Sequence, residues 1–94
     1  MMLVGVCTIT LRLHVTQSLK DKRSIVKSLI ARLQQRLNVG VAEVDALDEI
    51  GRAVIALAAV SLSESVVRDL FRSAEEMAER CPGAEVVTVE VELW

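Results

Sequence analysis

Hydrophobic and polar residues alternate over the first fifteen positions of the chain, which predicts a long β-strand over residues 2–15. One side carries Leu3, Cys7, Ile9, Leu11, Leu13 and Val15, and the other carries Val4, Val6, Thr8, Thr10, Arg12 and His14. Because successive side chains of a strand lie on opposite faces, the first set predicts a buried side. Val4 and Val6 make the second side more apolar than a solvated surface requires.

The spacing becomes helical after Ser18, where apolar residues recur three and four positions apart as far as Leu37. Ser18 predicts the N-cap, and Asp21, three residues later, resembles the acid of a capping box. Lys22 falls in line with the buried stripe of this helix. Either the regular helix begins after Lys22, or its stem lies along the core while its ammonium group reaches the edge.

Two strands and a second helix are predicted downstream. Residues 39–47 have the pattern of a strand, and residues 52–62 are nearly continuously apolar, which is typical of an interior strand. The second helix is predicted to run to about Arg80, with Ser61 or Ser63 as its N-cap.

A last strand alternates over residues 85–94, with Val87, Val89, Val91 and Leu93 expected to face inward. The element order is therefore β-α-β-β-α-β, and right-handed crossovers place the first and third strands at the centre of one sheet. We predict a single α+β domain over residues 1–94 with a ferredoxin-like βαββαβ fold. It consists of a four-stranded antiparallel sheet with two helices on one face.

Composition narrows the class of protein. Hydrophobic residues make up 52% of the chain, as expected for a globular fold. No apolar run approaches the roughly 18 residues that span a bilayer, so we expect no membrane partner and a cytoplasmic location. Cys7 and Cys81 are too few and too far apart for a zinc motif or a redox pair, and we expect both to be reduced packing residues.

Charge is divided unevenly along the chain. Residues 1–38 carry a net charge of +6 and residues 39–94 a net charge of −8, which together give −2. Such a separation creates a dipolar surface that affects association more than fold. The two halves either attract each other within or between copies, or leave a basic region for an anionic partner.

The most unusual segment begins the first helix, where Lys20, Lys22 and Arg23 follow Ser18. A helix N-terminus carries partial positive charge, so each cation there costs up to about 1 kcal/mol unless it is screened or partnered. The cations therefore predict a site for phosphates or another anion. The candidate residues are Arg12, Lys20, Lys22, Arg23 and Lys27.

The chain resembles the YlxP-like family of small bacterial proteins. The resemblance is carried by Ser18-Leu19-Lys20-Asp21-Lys22-Arg23, Lys27-Ser28-Leu29, Arg32-Leu33, Arg36, Asn38-Val39 and Val41-Ala42-Glu43. It extends over nearly the whole chain and implies a domain of unknown function without established catalytic residues. Genes of this family often lie beside those for transcription-elongation, translation-initiation and ribosome-maturation factors, which implies a role around RNA or the ribosome.

Three kinds of function are open at this point. The first is a binding module for RNA or a ribosomal component, which would contact phosphates because the only aromatic residues, Phe71 and Trp94, do not form a base-stacking platform. The second is a self-associating adaptor, a homo-oligomer that uses Val4, Val6 and part of residues 52–62. The third is an enzyme that binds anions between the first strand and helix, as acylphosphatases do.

The chain lacks the residues that the third kind of function requires. His14 is the only histidine, so Ser18 and Ser24 have no base at a predictable distance, and no glycine-rich loop is present. Asp45, Asp48 and Glu49 are too few for a calcium loop. We therefore expect no catalytic residue, no metal and no small-molecule cofactor.

Overall fold

A computed structural model describes residues 1–14 and 16–94. Its elements are β1 (Leu3–Leu13), α1 (Leu19–Arg36), β2 (Gly40–Asp45), β3 (Arg52–Ser61), α2 (Glu64–Glu79) and β4 (Ala84–Leu93). The strands form one antiparallel sheet in the order β2-β3-β1-β4, with β1 and β3 at the centre. The predicted ferredoxin-like α+β fold, with both helices on one face of the sheet, is confirmed.

The observed strands differ from the predicted ones at their ends. β1 ends at Leu13, and Val15, the last residue of the predicted strand, lies outside the described residues. A bulge shifts the register of β4, so that Thr10 pairs with Thr88 but Leu11 pairs with Val86. Val87 is left between these pairs and is 45% exposed, so its predicted inward position is wrong.

The core lies between the sheet and the two helices. The helix-facing side of β1 contributes Cys7, Ile9, Leu11 and Leu13, all buried. Cys7 and Cys81 are free buried thiols, which confirms their predicted packing role. Burial, with a smaller contribution from the nearby Glu75 carboxylate, raises the pKa of the Cys7 thiol from 9.0 to about 11. Cys7 therefore stays protonated near neutral pH.

Gly5 lies where α2 packs closely against β1. A Cβ atom at this position would lie 2.4 Å from Val67 Cγ1 and 2.8 Å from Phe71 Cε2. These distances are shorter than any normal van der Waals contact, so the position requires a residue without a side chain. Packing of α2 onto β1 therefore depends on Gly5.

The start of α1 follows the predicted capping pattern in part. The backbone N–H of Asp21 donates to Ser18 Oγ at 3.1 Å, so Ser18 is the N-cap as predicted. The Asp21 carboxylate accepts from the N–H of Gln17 at 3.2 Å, one residue before the cap. The one acid of the first turn is thus engaged by the backbone.

Among the described residues, no helix combines the length and the apolar character needed to cross a membrane.

Candidate anion-binding surface

Lys22 does not belong to the surface that the sequence predicts. α1 begins at Leu19, before Lys22, and the Lys22 side chain is 0% exposed. Its ammonium nitrogen lies 3.1 Å from Glu43 Oε2 on β2. This contact has the distance of an ion pair but not the geometry of a hydrogen bond. The prediction of Lys22 as an anion ligand is therefore wrong, because its charge is already neutralised inside the protein.

The other contacts of Lys22 explain its complete burial. Its ammonium group donates to the backbone carbonyls of Ala46 and Leu47, the second at 3.4 Å. Two carbonyl acceptors and one carboxylate at ion-pair distance therefore surround the ammonium group. Neither sequence alternative foresaw this arrangement, since Glu43 lies twenty-one positions away in the chain. Lys22 instead connects α1 to β2 and to the residues that follow β2.

Arg12 lies on the other side of the molecule from the α1 cations. It occupies the face of the sheet opposite the helices, since its neighbours Leu11 and Leu13 face the core. Its guanidinium lies 3.4 Å from Glu85 Oε1, and His14 Nε2 lies 2.9 Å from the same oxygen. The structure therefore separates Arg12 from the candidate site, and Glu85 supplies its counter-charge.

Lys20, Arg23 and Lys27 remain together, and we call them the α1 stripe. All three are exposed. Their spacing of three and four residues places them next to one another on the helix surface, over about 10 Å of helix axis. No carboxylate of residues 1–14 or 16–94 lies within ion-pair distance of any of them.

The absence of partners is specific to α1 and its neighbourhood. On α2, Arg68 pairs with Glu64 at 3.0 Å and Arg72 pairs with Asp69 at 3.1 Å. On β3, Arg52 pairs with Glu49 at 3.3 Å. Exposed cations outside α1 are thus mostly neutralised by local acids, whereas the α1 stripe is not.

A second basic group lies between the C-terminal ends of the helices. Arg32, Arg36 and Arg80 line a shallow depression of about 200 Å³ together with Met77. Arg36 lies in the last turn of α1 and Arg80 caps α2. Cations at helix C-termini are favourable, so the helix dipoles account for Arg36 and Arg80. Sequence spacing does not predict this group, because only the packing of α1 beside α2 brings Arg80 to Arg32.

The described residues contain no group of three or more histidine, cysteine, aspartate or glutamate side chains arranged to hold a metal ion. What the helix surface offers instead is fixed positive charge on a rigid element. Fixed positive charge on an exposed surface favours the approach of anions.

The fold and this surface define a small ferredoxin-like α+β protein with a basic helix face. A family model described as "Protein of unknown function (DUF503)" matches residues 4–91, and the chain belongs to this family. No curated protein matches it.

Solved structures share its fold at low sequence identity. The designed protein Foldit4 has a TM-score of 0.55 at 14% identity, over 100% of this chain and 97% of that one. The designed ferredoxin-fold protein LFR1 1 has a TM-score of 0.53 at 19% identity, with 98% and 86% covered. SnoaB, a cofactor-independent oxygenase from Streptomyces nogalater, has a TM-score of 0.52 at 11% identity, with 97% and 90% covered. Likeness at these identities establishes the fold alone.

Proposed function

We propose that this protein binds RNA through the α1 stripe, by contacts to the phosphate backbone. The observation that carries the proposal is the lack of any ion-pair partner for Lys20, Arg23 and Lys27 among the described residues. The chain contains thirteen acidic residues, all of them among the described residues, and none lies within ion-pair distance of these three cations. Lys20 lies in the first turn of α1 and Arg23 in the second, near the helix end where stability alone favours acids.

The arrangement favours a polyanion over a single small anion. The stripe extends over about 10 Å of helix axis, further than one phosphate reaches. Its three side chains are exposed on the convex surface of a helix, so they do not enclose a small ligand. Several weak contacts to successive phosphates suit such a surface, and they bring affinity with little sequence preference.

Base recognition has little support. Phe71 is 3% exposed and belongs to the core, and Trp94 follows β4 on the sheet rather than on α1. Stacking of unpaired bases requires aromatic residues beside the basic surface. The mode we propose is therefore binding to the backbone of RNA. The resemblance to YlxP-like proteins, with their gene neighbours in translation, favours RNA among nucleic acids.

The test is a titration of a fluorescein-labelled single-stranded RNA, monitored by anisotropy at several salt concentrations. Three phosphate contacts predict a slope of log affinity against log salt of about −2. The variant Lys20→Glu/Arg23→Glu should lower the affinity at least about tenfold and reduce the magnitude of the slope by about 0.7 for each cation removed.

Arg68→Glu/Arg72→Glu is the matched control, because it produces the same net charge but alters α2. The control should bind nearly as well as the parent protein. Equal losses in both variants would mean that only net charge matters, and binding by neither the parent nor the variants would reject RNA. An acidic protein partner would then be the remaining occupant of the stripe.

A further inference from the structure

The face of the sheet opposite the helices, which we call the open face, is uncovered and largely apolar. Strand register places Val4 beside Val60 and Val6 beside Ala58 on the two central strands. Trp94 continues the first of these rows, because Val4 and Trp94 exchange two backbone hydrogen bonds of 3.1 and 2.8 Å. No helix of the described residues lies over these side chains.

The largest apolar side chains of the open face are well exposed. Val60 is 61% exposed and Trp94 is 70% exposed. Met2 and Leu62, one row further toward the same end, are 64% and 80% exposed. A contiguous exposed patch of this kind marks an interface, and exposed tryptophan commonly anchors one.

The dimensions of the open face are those of a dimer interface. Four strands about 4.8 Å apart and ten residues of about 3.3 Å each give a flat area of roughly 600 Å². Because side chains make the surface uneven, its accessible area is larger than this flat area and approaches the roughly 800 Å² that each partner buries in a stable complex. The face is therefore large enough for one copy of a protein this small to cover it completely.

Its charges indicate which partner fits. On the two central strands, the middle positions of the open face, which include Thr8, Thr10 and Ala56, carry no charge. Glu90 and Glu92 border the face along β4, and these carboxylates repel phosphates, so nucleic acid does not fit. Arg12 and Arg52 form one directly opposed pair at the far end of the face from Trp94.

We propose that the open face binds the open face of a second copy of this chain, in a two-fold symmetric dimer. The axis that keeps the arginines of the two copies apart lies in the interface and runs across the strands. It places the Arg12–Arg52 end of each copy over the Val4–Trp94 end of the other, so that the guanidinium groups lie near the Trp94 indole and the Glu92 carboxylate. The same axis brings the two Glu90 carboxylates together, but only along the edge strand β4, where water and salt screen their charge. An axis along the strands would instead stack Arg12 on Arg52.

The dimer would leave both helices of each copy on the outside. The two α1 stripes would then lie on opposite surfaces, available to RNA at the same time. The proposal goes beyond the binding function and does not depend on it, and its test contains no RNA.

The test is sedimentation velocity combined with light scattering on the parent chain, from low micromolar to about millimolar concentration. We expect a reversible monomer–dimer equilibrium and a melting temperature that rises with concentration. Val60→Asp and Ala58→Asp, both at exposed positions, should each shift the dissociation constant at least about a hundredfold, because they bury an unpaired charge. Circular dichroism reports whether each variant is folded. If Val60→Asp does not fold, Ala58→Asp provides the test.

Val66→Asp is the control, since Val66 is 48% exposed on α2 and faces away from the open face. It should remain a dimer. A parent chain that stays monomeric at the highest concentration overturns the proposal and leaves the open face to a different protein. A dimer that survives both open-face variants, or an assembly larger than two copies, also overturns it.

Discussion

The two helices lie side by side on the same sheet face, yet they follow different rules. α2 has an acid, Glu64, in its first turn, and both of its arginines pair with acids on the same helix. α1 carries six cations and a single acid, Asp21. Its only paired cation is buried Lys22, among the described residues. The outer face of α2 is therefore arranged for stability, and that of α1 is not.

The helices also differ in how they are held to the sheet. Both helices pack apolar residues on the sheet, but α1 adds the buried pair of Lys22 with Glu43, whereas α2 adds a close approach to the sheet at Gly5. An ion pair gives strong orientation but depends on both partners, because either charge alone is costly to bury. Close packing depends instead on the shapes of the side chains that meet, here those of Val67 and Phe71 against Gly5. Four experiments test this contrast.

The largest effect is expected from Lys22→Met. The change leaves Glu43 buried without its counter-charge and leaves the carbonyls of Ala46 and Leu47 without their donor. Removing one partner of a buried pair costs about 3–5 kcal/mol. Urea unfolding followed by circular dichroism measures the loss. Lys22→Leu/Glu43→Val should recover much of it, and a double variant as unstable as Lys22→Met would contradict the ion-pair account.

Gly5→Ala tests the attachment of α2. The new methyl group would collide with Val67 and Phe71, and overpacking of a core costs about 1–3 kcal/mol. The same denaturation measurement reports the change. Gly40→Ala is the control, because nothing lies within 4 Å of a Cβ atom at that position. If both variants unfold alike, the close approach of α2 is not what demands glycine.

Charge reversal on the outer face of α1 and on that of α2 should change the stability of the protein in opposite directions. Lys20→Glu/Arg23→Glu places acids near the start of α1, and each favourable charge there contributes about 0.3–1 kcal/mol. Arg68→Glu/Arg72→Glu breaks two exposed ion pairs worth about 0.2–1 kcal/mol each. Thermal unfolding at low salt should show the first variant equal to or above the parent and the second below it. Equal losses would remove the contrast between the helices.

At neutral pH the smallest effect is that of Cys7, which lies under α2 and whose titration changes stability only at alkaline pH. Its pKa is about 11 in the folded protein and 9.0 when unfolded, because burial disfavours the thiolate. A raised acid pKa contributes stability that is fully present below pH 9 and is lost as the pH rises from 9 toward 11. The free energy of unfolding of the parent should therefore fall more steeply over this range than that of Cys7→Ala. Parallel curves would show that Cys7 does not titrate differently on unfolding.

The order and type of the elements could be predicted from the sequence because each depends on local pattern. Alternation over β1, helical spacing after Ser18 and the caps at Ser18 and Ser63 are all short-range signals. The bulge at Val87 was missed, since a bulge depends on how two strands pair and leaves no mark on alternation within one of them.

The candidate site could be predicted only in part. Lys20 and Arg23 could be predicted because cations near a helix start conflict with a local rule, and Lys27 because it follows them on the same helix. Arg32 and Arg36 lie four residues apart without an acid between them at helical spacing, which is also a signal in the sequence. Arg80 could not be found, since it joins them only where α2 ends beside α1.

The sequence alone determined the fold class, the core stripes of both helices and the concentration of positive charge in the first forty residues, because these follow from local spacing and counting. Only the tertiary structure decided which charges are available. It buried Lys22 against Glu43 and placed Arg12 with Glu85 on the opposite face, leaving the α1 stripe without a partner among the described residues. The reason is physical: neutralisation of a charge depends on distances of a few ångströms between residues far apart in the chain, and one-dimensional spacing does not contain those distances.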